Sequence, residues 1–385
     1  MIDPSSVDRF LAATLRNLHG GKAADWSLSP EIDWPAVWAR IEYHGIPFVL
    51  HICADQLDNW PPPLLARIAE EARLIALWET THRDCVRALV SALAATGIDA
   101  VMMKGTALAY AFYDEPAARR RGDSDLLVEP AHREAARAIL TRLGWYRRDD
   151  PHGLYHQEGW LHDAAGFFVH SVDLHWEPSD RPVLHHVLPM EQFFARKVAM
   201  PRFGEAAFRP DSATMILHGT INQKWHAQHG YESEKGRLMS PRRLIWSVDF
   251  GLLVRSMDET DWQRLTAHCA REGVGELVAE ALRGARDDLG TPIPAEVLAQ
   301  LDRAPMRPDL KAYFSNPDSL AQFRIDLRST QGLIGKLRLV AARAFPPRSH
   351  LIEKYPQARR WPTLLLQARL LVDTARRALR QGPAQ

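Results

Sequence analysis

Residues 119–128 read RRRGDSDLLV and place two carboxylates, Asp123 and Asp125, at the start of an apolar run that predicts a buried strand. Because side chains alternate between the two faces of a strand, Asp123 and Asp125 point the same way and Ser124 points the opposite way. Two carboxylates on one face repel each other and need a neighbouring cation if they are partly buried. A divalent ion such as Mg²⁺, which prefers oxygen ligands, would supply that charge. The alternative is that Asp123 caps a turn and Asp125 lies exposed at a strand end.

Two other segments add to this pattern. Upstream, the short apolar run IDAVMM ends in Lys104-Gly105-Thr106, and ALAYAFY then has the spacing of a helix. The free N–H groups of a helix start, a glycine that allows close approach and a hydroxyl together suit a phosphate. Downstream, Asp173 interrupts the apolar strand predicted for GFFVHSVDLHW, which can pair beside the DxD strand. Three carboxylates facing one phosphate site predict metal-dependent phosphoryl or nucleotidyl transfer.

The hydrophobic spacing divides the chain into three parts. Apolar residues recur at three- and four-residue steps from Pro62 to about Gly97, which predicts one long amphipathic helix within a helical region, 1–97. Residues 98–205 alternate strand-like and helix-like segments, including a helix predicted for HREAARAILTRLG. The spacing then predicts a helical C-terminal domain, 206–385, with helices in SATMILHGTINQKW, RRLIWSVDFGLLVRS, DWQRLTAHCAREG and WPTLLLQARLLVDTARRALR.

The composition is that of a folded globular protein. Hydrophobic residues make up 46% of the 385 residues and charged residues 25%. The 48 Lys and Arg against 47 Asp and Glu give a net charge of +1, which argues against a large nucleic-acid-binding surface. Cys53, Cys85 and Cys269 lie far apart, which favours reduced thiols over disulfides or a zinc site. With no leader-like start and no apolar run of membrane-spanning length, we expect a cytoplasmic protein with no membrane partner.

These motifs resemble those of the DNA polymerase β-like nucleotidyltransferase superfamily, in which a glycine with Ser or Thr, a hydrophobic DxD strand and a third acid recur. The closer resemblance is to the uncharacterised nucleotidyltransferase family, whose members carry a pattern like LKG…Y…R…DxDLLV…G…DLHW. Here the pattern reads MKGTALAYAFYDEPAARRRGDSDLLV and VDLHW, and it is most specific over residues 101–128. The resemblance covers the chain to both ends. It implies an α+β fold in which a small mixed β-sheet nucleotidyltransferase core, 98–205, is flanked by N- and C-terminal helical regions.

The resemblance also implies roles for individual residues. Three acids would be catalytic and bind two Mg²⁺ ions, with Mn²⁺ as an alternative ion: Asp123, Asp125 and Asp173. Asp173 would also activate the acceptor hydroxyl. The terminal phosphates of the NTP, with ATP the favoured nucleotide, would be held by Gly105 and Thr106. Phosphate charge would be offset by Lys104, Arg119 and Arg121, although Arg121 also fits a solvated turn. Contacts to the base or acceptor would come from His218, Arg243 and Asp249, for each of which a core or surface role fits equally well.

The predicted reaction is transfer of an NMP from an NTP to an unknown small-molecule, peptide or protein acceptor, with release of pyrophosphate. One alternative is kinase-like or other group transfer from a nucleotide donor on the same fold. Another is a nucleotide-binding regulatory module without turnover, against which the complete set of three acids argues. Nucleic acid is not favoured as a partner. The C-terminal arginines can meet an RNA backbone, but a solvated helix face is the favoured interpretation of Arg369, Arg376, Arg377 and Arg380.

Overall fold

The computed structural model describes residues 4–28, 33–148, 156–164, 168–233, 236–238, 242–316, 318–346 and 348–380. Its N-terminal region is helical. Its helices are α1 (Pro4–His19), α2 (Trp34–His44), α3 (Pro47–Ile52) and α4 (Pro62–Ala94). The long helix predicted from Pro62 is thus confirmed. Helix α4 begins with prolines because proline lacks the N–H that the first helical turn leaves unbonded.

The central segment alternates strands with short helices. In chain order its elements are β1 (Val101–Met103), α5 (Lys104–Phe112), β2 (Ser124–Leu127), α6 (Arg133–Arg142), β3 (Tyr146–Arg147), β4 (Gln157–Ala164), β5 (Phe168–His175), α7 (Met190–Ala195), β6 (Val198–Ala199) and β7 (Phe208–Arg209). Of these, the sequence predicted β1, β2, β5, α5 and α6. The chain turns away after α6 at Gly144, whose φ of +83° favours glycine.

Strand β2 lies at the middle of a seven-stranded sheet with the order β3-β4-β5-β2-β1-β7-β6. It is parallel to β5 and antiparallel to β1, so the sheet is mixed. All four residues of β2 are buried, as expected for a central strand. A mixed sheet flanked by helical regions is the α+β fold predicted from the sequence.

From residue 212 the described chain is mainly helical. In chain order it forms α8 (Ser212–His229), the hairpin of β8 (Tyr231–Ser233) and β9 (Gly236–Leu238), α9 (Leu244–Ser256), α10 (Glu259–Glu272), α11 (Gly275–Leu289), α12 (Ala295–Asp302), α13 (Pro308–Ser315), α14 (Ser319–Ser329), α15 (Leu333–Ala344), α16 (Arg348–Lys354) and α17 (Thr363–Arg380). The four helices predicted here are α8, α9, α10 and α17. Among the described residues, no helix has the length and apolar character needed to cross a membrane.

One hydrophobic core joins the three predicted regions. It extends from Val7 to Phe314 and takes in the strands of the sheet. A second, small core lies in the last helices and consists of Leu351, Tyr355, Ala358, Leu366 and Leu370. The boundaries at residues 97 and 205 stay predictions, and the sheet itself continues to Arg209. The three cysteines are free thiols, as predicted.

Four strands of the sheet had no signal in the sequence. Strand β4, QEGWLHDA, mixes charged residues with Gly159 and lacks the alternation of a half-buried strand. It nevertheless pairs with β5 along its whole length, from Gln157 opposite His175 to Ala164 opposite Phe168. Strands β3, β6 and β7 have two residues each, which is too short to show a period.

Candidate active site

The register of two parallel strands brings Asp125 and Asp173 together. In the pairing of β2 with β5, Asp125 lies opposite Asp173 and Leu127 lies opposite His175. Side chains two residues apart on a strand share a face, so His175 joins the two acids. One ligand atom from each of Asp125, Asp173 and His175 lies within 4.8 Å of the others. His175 Nε2 is 2.9 Å from Asp125 Oδ1, to which it donates a hydrogen bond.

Asp123 lies just before β2, half-buried, at the edge of this cluster. Burial and then the charges of Asp125 and Asp173 raise the pKa of Asp123 to about 7. Burial, followed by the charge of Asp125, also raises the pKa of Asp173. Burial also acts to raise the pKa of Asp125, but the charge of Lys104 and the hydrogen bond from His175 outweigh burial and lower the pKa of that carboxyl. The three predicted acids therefore share one electrostatic site in which negative charge is in excess.

Lys104 supplies a cation to the site. Its Nζ is 2.6 Å from Asp125 Oδ1, and its side chain is 29% exposed. Burial acts to lower the pKa of Lys104, but the charge of Asp125 and the hydrogen bond to it, together with the charges of Asp123 and Asp173, outweigh burial and raise that pKa. Lys104 is also the first residue of α5 and has a φ of +48°, which is rare for a residue with a side chain. Such strain is typical of functional sites.

Gly105 and Thr106 follow in the first turn of α5, but their surroundings differ from a simple phosphate-binding turn. A Cβ on Gly105 would lie 3.2 Å from Cδ of Arg121, so a side chain there would crowd the Arg121 side chain. The Thr106 hydroxyl lies 2.7 Å from the Ser124 hydroxyl and accepts a hydrogen bond from Arg121 Nε at 2.9 Å. The hydroxyl therefore points into the Ser124 side of the sheet, away from the acids. The N-terminus of α5 has no side-chain cap, so the backbone N–H groups of its first turn could bind an anion.

Both predicted phosphate-binding arginines are buried in ion pairs. Arg119 Nε donates to both carboxylate oxygens of Asp249, at 2.7 and 2.9 Å, and the Tyr113 hydroxyl donates to the same carboxylate at 2.7 Å. Arg121 lies 2.7 Å from a carboxylate oxygen of Glu79, and its side chain is 3% exposed. Contact with phosphate would require either arginine to leave its pair. Their placement favours a role in fixing the core against the neighbouring helices.

A polar network behind β2 was not found from the sequence. Two residues of α4, Glu79 and His82, lie three apart and face the sheet. His82 Nε2 is 2.8 Å from the Ser124 hydroxyl, and Glu79 accepts from Arg121 and, at 2.6 Å, from the Tyr110 hydroxyl. Helix α4 thereby contacts both β2 and α5 from the face of the sheet opposite the acids. A long-range contact of this kind has no local sequence signal.

Two polar residues on the β3–β4 side also approach Asp173. Gln157 Nε2 donates to Asp173 Oδ2 at 3.2 Å, and Arg148 Nη2 lies 3.8 Å from Asp173 Oδ1. Gly159 lies opposite Asp173 in the register, and a Cβ there would be 2.8 Å from Arg148 Nε. Glycine at this position thus lets the Arg148 guanidinium lie across β4 toward the acids.

The predicted base or acceptor contacts fall into two places. His218 is buried on α8, where burial and then the charge of Lys104 lower its pKa to about 3, so it is neutral near the site. Arg243 Nε donates to the backbone oxygen of Tyr43 at 2.6 Å, in a buried contact between helical regions. Asp249 is the partner of Arg119. Of these three residues, His218 is the one whose pKa responds to Lys104 and Asp125.

The donor set of this cluster suits a divalent metal ion. Among the described residues, Asp173 Oδ1 and His175 Nδ1 are buried without a hydrogen-bond partner, which is costly unless a ligand satisfies them. Carboxylate oxygens suit Mg²⁺ and Mn²⁺, and an imidazole nitrogen suits transition metals. His175 stands in the quoted DLHW motif, where its two-residue spacing from Asp173 was the signal that could have identified it. The cluster Asp125, Asp173 and His175 could hold a metal ion.

Comparison with known proteins identifies one family. A family model described as an uncharacterised nucleotidyltransferase matches residues 30–290, which is more than half of the chain. The matched segment includes α4, the whole sheet and helices α8 and α9. Neither a curated protein nor a solved structure matches the chain.

Proposed function

The chain belongs to the uncharacterised nucleotidyltransferase family, and we propose that it transfers an NMP from an NTP, with ATP favoured, to an acceptor hydroxyl or phosphate. The observation that supports this most is the register of β2 with β5, which sets Asp125 opposite Asp173 beside the N-terminus of α5. Paired carboxylates next to an anion-binding helix start are what a metal-dependent transfer of a phosphorus-containing group requires. The acceptor is a small molecule, a peptide or a protein.

Asp125 and Asp173, with His175 and the neighbouring Asp123, would hold the divalent ions, Mg²⁺ or Mn²⁺. When bound, such ions neutralise phosphate charge and polarise the α-phosphate. Asp173 Oδ1, which is buried and accepts no hydrogen bond from the described residues, supports this assignment because it has a position left for a ligand.

The other groups of the site would bind the triphosphate. Lys104 would offset the charge of the phosphates from its place beside Asp125, and the backbone N–H groups at the start of α5 would donate hydrogen bonds to the β- and γ-phosphates. Arg148, which approaches Asp173 across β4, would add a second positive charge near the acids.

Asp173 is the residue that we assign to acceptor activation. Its pKa is raised by burial and by Asp125, which makes it a stronger base than an ordinary carboxylate. The acceptor oxygen would lose its proton to the Asp173 carboxylate and form a bond to the α-phosphorus. The bond from the α-phosphorus to the leaving oxygen would break, and pyrophosphate would depart with the electron pair.

The test uses NTPs labelled at the α- or γ-phosphorus, incubated with Mg²⁺, the full chain and fractions of a cell extract. Label from the α-position in a product supports NMP transfer; label from the γ-position alone would mean a kinase-like reaction, and nucleotide binding without any labelled product would mean a regulatory module.

One variant separates catalysis from binding. Asp173→Ala should retain most of the NTP affinity but lower turnover by about 10² to 10⁴, the usual range for loss of a positioned base. Asp163→Ala, an exposed aspartate on the neighbouring strand β4, is the matched control and should leave turnover unchanged. Normal turnover per folded molecule in Asp173→Ala, with a lower melting temperature, would make Asp173 a structural residue.

A further inference from the structure

The last part of the chain differs in charge from the rest. Residues 330–385 contain 11 Lys or Arg and two Asp or Glu, a net charge of +9, so residues 1–329 carry −8 in a chain of net charge +1. The near-neutral total therefore hides a strongly basic C-terminal segment. Segments of this kind are attracted to anionic surfaces.

Helix α15 in this segment exposes apolar side chains. Leu333, Ile334, Leu337 and Val340 are 74%, 68%, 58% and 42% exposed. Their spacing of one, three and three residues places them on one side of the helix. Arg338 of the same helix is exposed as well.

Helix α17 repeats this pattern. Leu364, Leu365, Leu371 and Val372 are 78%, 54%, 44% and 49% exposed and again share one side of the helix. The opposite side of α17 packs into the small core described above, in which Leu366 and Leu370 are buried. The exposed leucines are therefore additional to what the packing of this segment needs, and an apolar face of this kind marks an interaction site.

We propose that the exposed apolar sides of α15 and α17 form a docking surface for an anionic phospholipid membrane. Aliphatic side chains enter the boundary between head groups and acyl chains, while Lys and Arg beside them contact anionic head groups. A second copy of the chain that meets this surface through its own basic segment is a poorer partner, because two segments of charge +9 repel each other. RNA would use the arginines, but it would gain little from exposed leucines, since bases stack on aromatic or guanidinium planes.

This surface is independent of the proposed reaction and does not require a membrane-spanning helix. The sequence-based expectation of no membrane partner rests on the lack of a spanning segment, which bears on insertion across a bilayer. Docking on a bilayer surface depends instead on an amphipathic basic helix. The proposal therefore replaces that expectation for residues 333–380.

The experiment is co-sedimentation of the full chain with vesicles of phosphatidylcholine alone and with vesicles containing about 30% phosphatidylserine. We expect binding to the anionic vesicles only, and its loss on raising the salt from about 0.1 M to about 1 M, where the screening length falls from about 10 to about 3 Å. Leu333→Ser with Leu364→Ser should weaken binding about tenfold or more, as should Arg338→Gln with Arg376→Gln. Leu77→Ser, which replaces an exposed leucine on α4, is the control and should leave vesicle binding unchanged.

Several outcomes would overturn the proposal. One is the absence of vesicle binding by the wild type; another is vesicle binding that the double leucine variant retains in full. Binding of a labelled poly(U) RNA that depends on the arginines but not on the leucines would assign the surface to nucleic acid. A dimer in sedimentation velocity that the leucine variant dissociates would assign it to a second copy. Thermal unfolding checks each variant, and Leu337→Ser with Leu365→Ser tests the same two faces if the first pair fails to fold.

Discussion

The buried pair of Arg119 and Asp249 gives a sharp test of whether Arg119 is structural or binds phosphate. Replacing Asp249 by Ala removes the carboxylate that pairs with the Arg119 guanidinium and accepts from the Tyr113 hydroxyl, and the two paired side chains are only 10% and 7% exposed. Removing one partner of a buried ion pair costs about 3 to 5 kcal/mol, because the remaining charge stays desolvated. We therefore expect Asp249→Ala to lower the free energy of unfolding by that amount, measured by urea unfolding followed by circular dichroism.

Two further variants make the test conclusive. Arg119→Met with Asp249→Leu removes both charges and should recover most of the lost stability. Asp302→Ala breaks the exposed pair with Arg283 and should cost less than about 1 kcal/mol. A loss in Asp249→Ala no larger than in Asp302→Ala would refute the reasoning. In that case Arg119→Met should instead weaken NTP binding in calorimetry with stability unchanged, as a phosphate-binding arginine would.

Single substitutions of the DxD acids should have opposite effects on stability in EDTA at pH 8. Asp123→Asn should raise the free energy of unfolding by about 1 to 3 kcal/mol, because the pKa of Asp123 is raised to about 7, so its charge is unfavourable above that pH. Asp125→Asn should lower it, since Lys104 loses its partner; urea unfolding that shows the same sign for both would contradict the charge assignment. Burial raises the pKa of Asp326 from 3.8 to about 6, so its contribution to stability is full below pH 3.8 and lost as pH rises through 6. The stability of Asp326→Asn relative to wild type should therefore rise by about 2 to 3 kcal/mol between pH 4 and pH 7, and a flat difference over that range in thermal unfolding would exclude a buried, titrating carboxyl.

The sequence determined the strand–helix–strand segment, β1, α5 and β2, that contains the site. The apolar run before Lys104, the helix spacing after it and the alternation in DSDLL are local patterns, and local patterns set the identity of an element and the face on which a side chain lies. Asp125 and Ser124 point to opposite faces as predicted, and helix α4 begins at the predicted Pro62. The family resemblance rests on these same segments and is confirmed for residues 30–290.

The tertiary structure decided which groups meet. The partner of Arg119 is 130 residues away on α9, and the hydroxyl of Thr106 belongs to a network completed by His82 of α4. The pairing of His175 with Asp125 depends on the register of two strands that lie about fifty residues apart in the chain. Such partners are chosen by which elements pack together, and packing is a property of the whole core rather than of local spacing. The sequence alone therefore marked the acids of the site, while the fold determined which cations and histidines surround them.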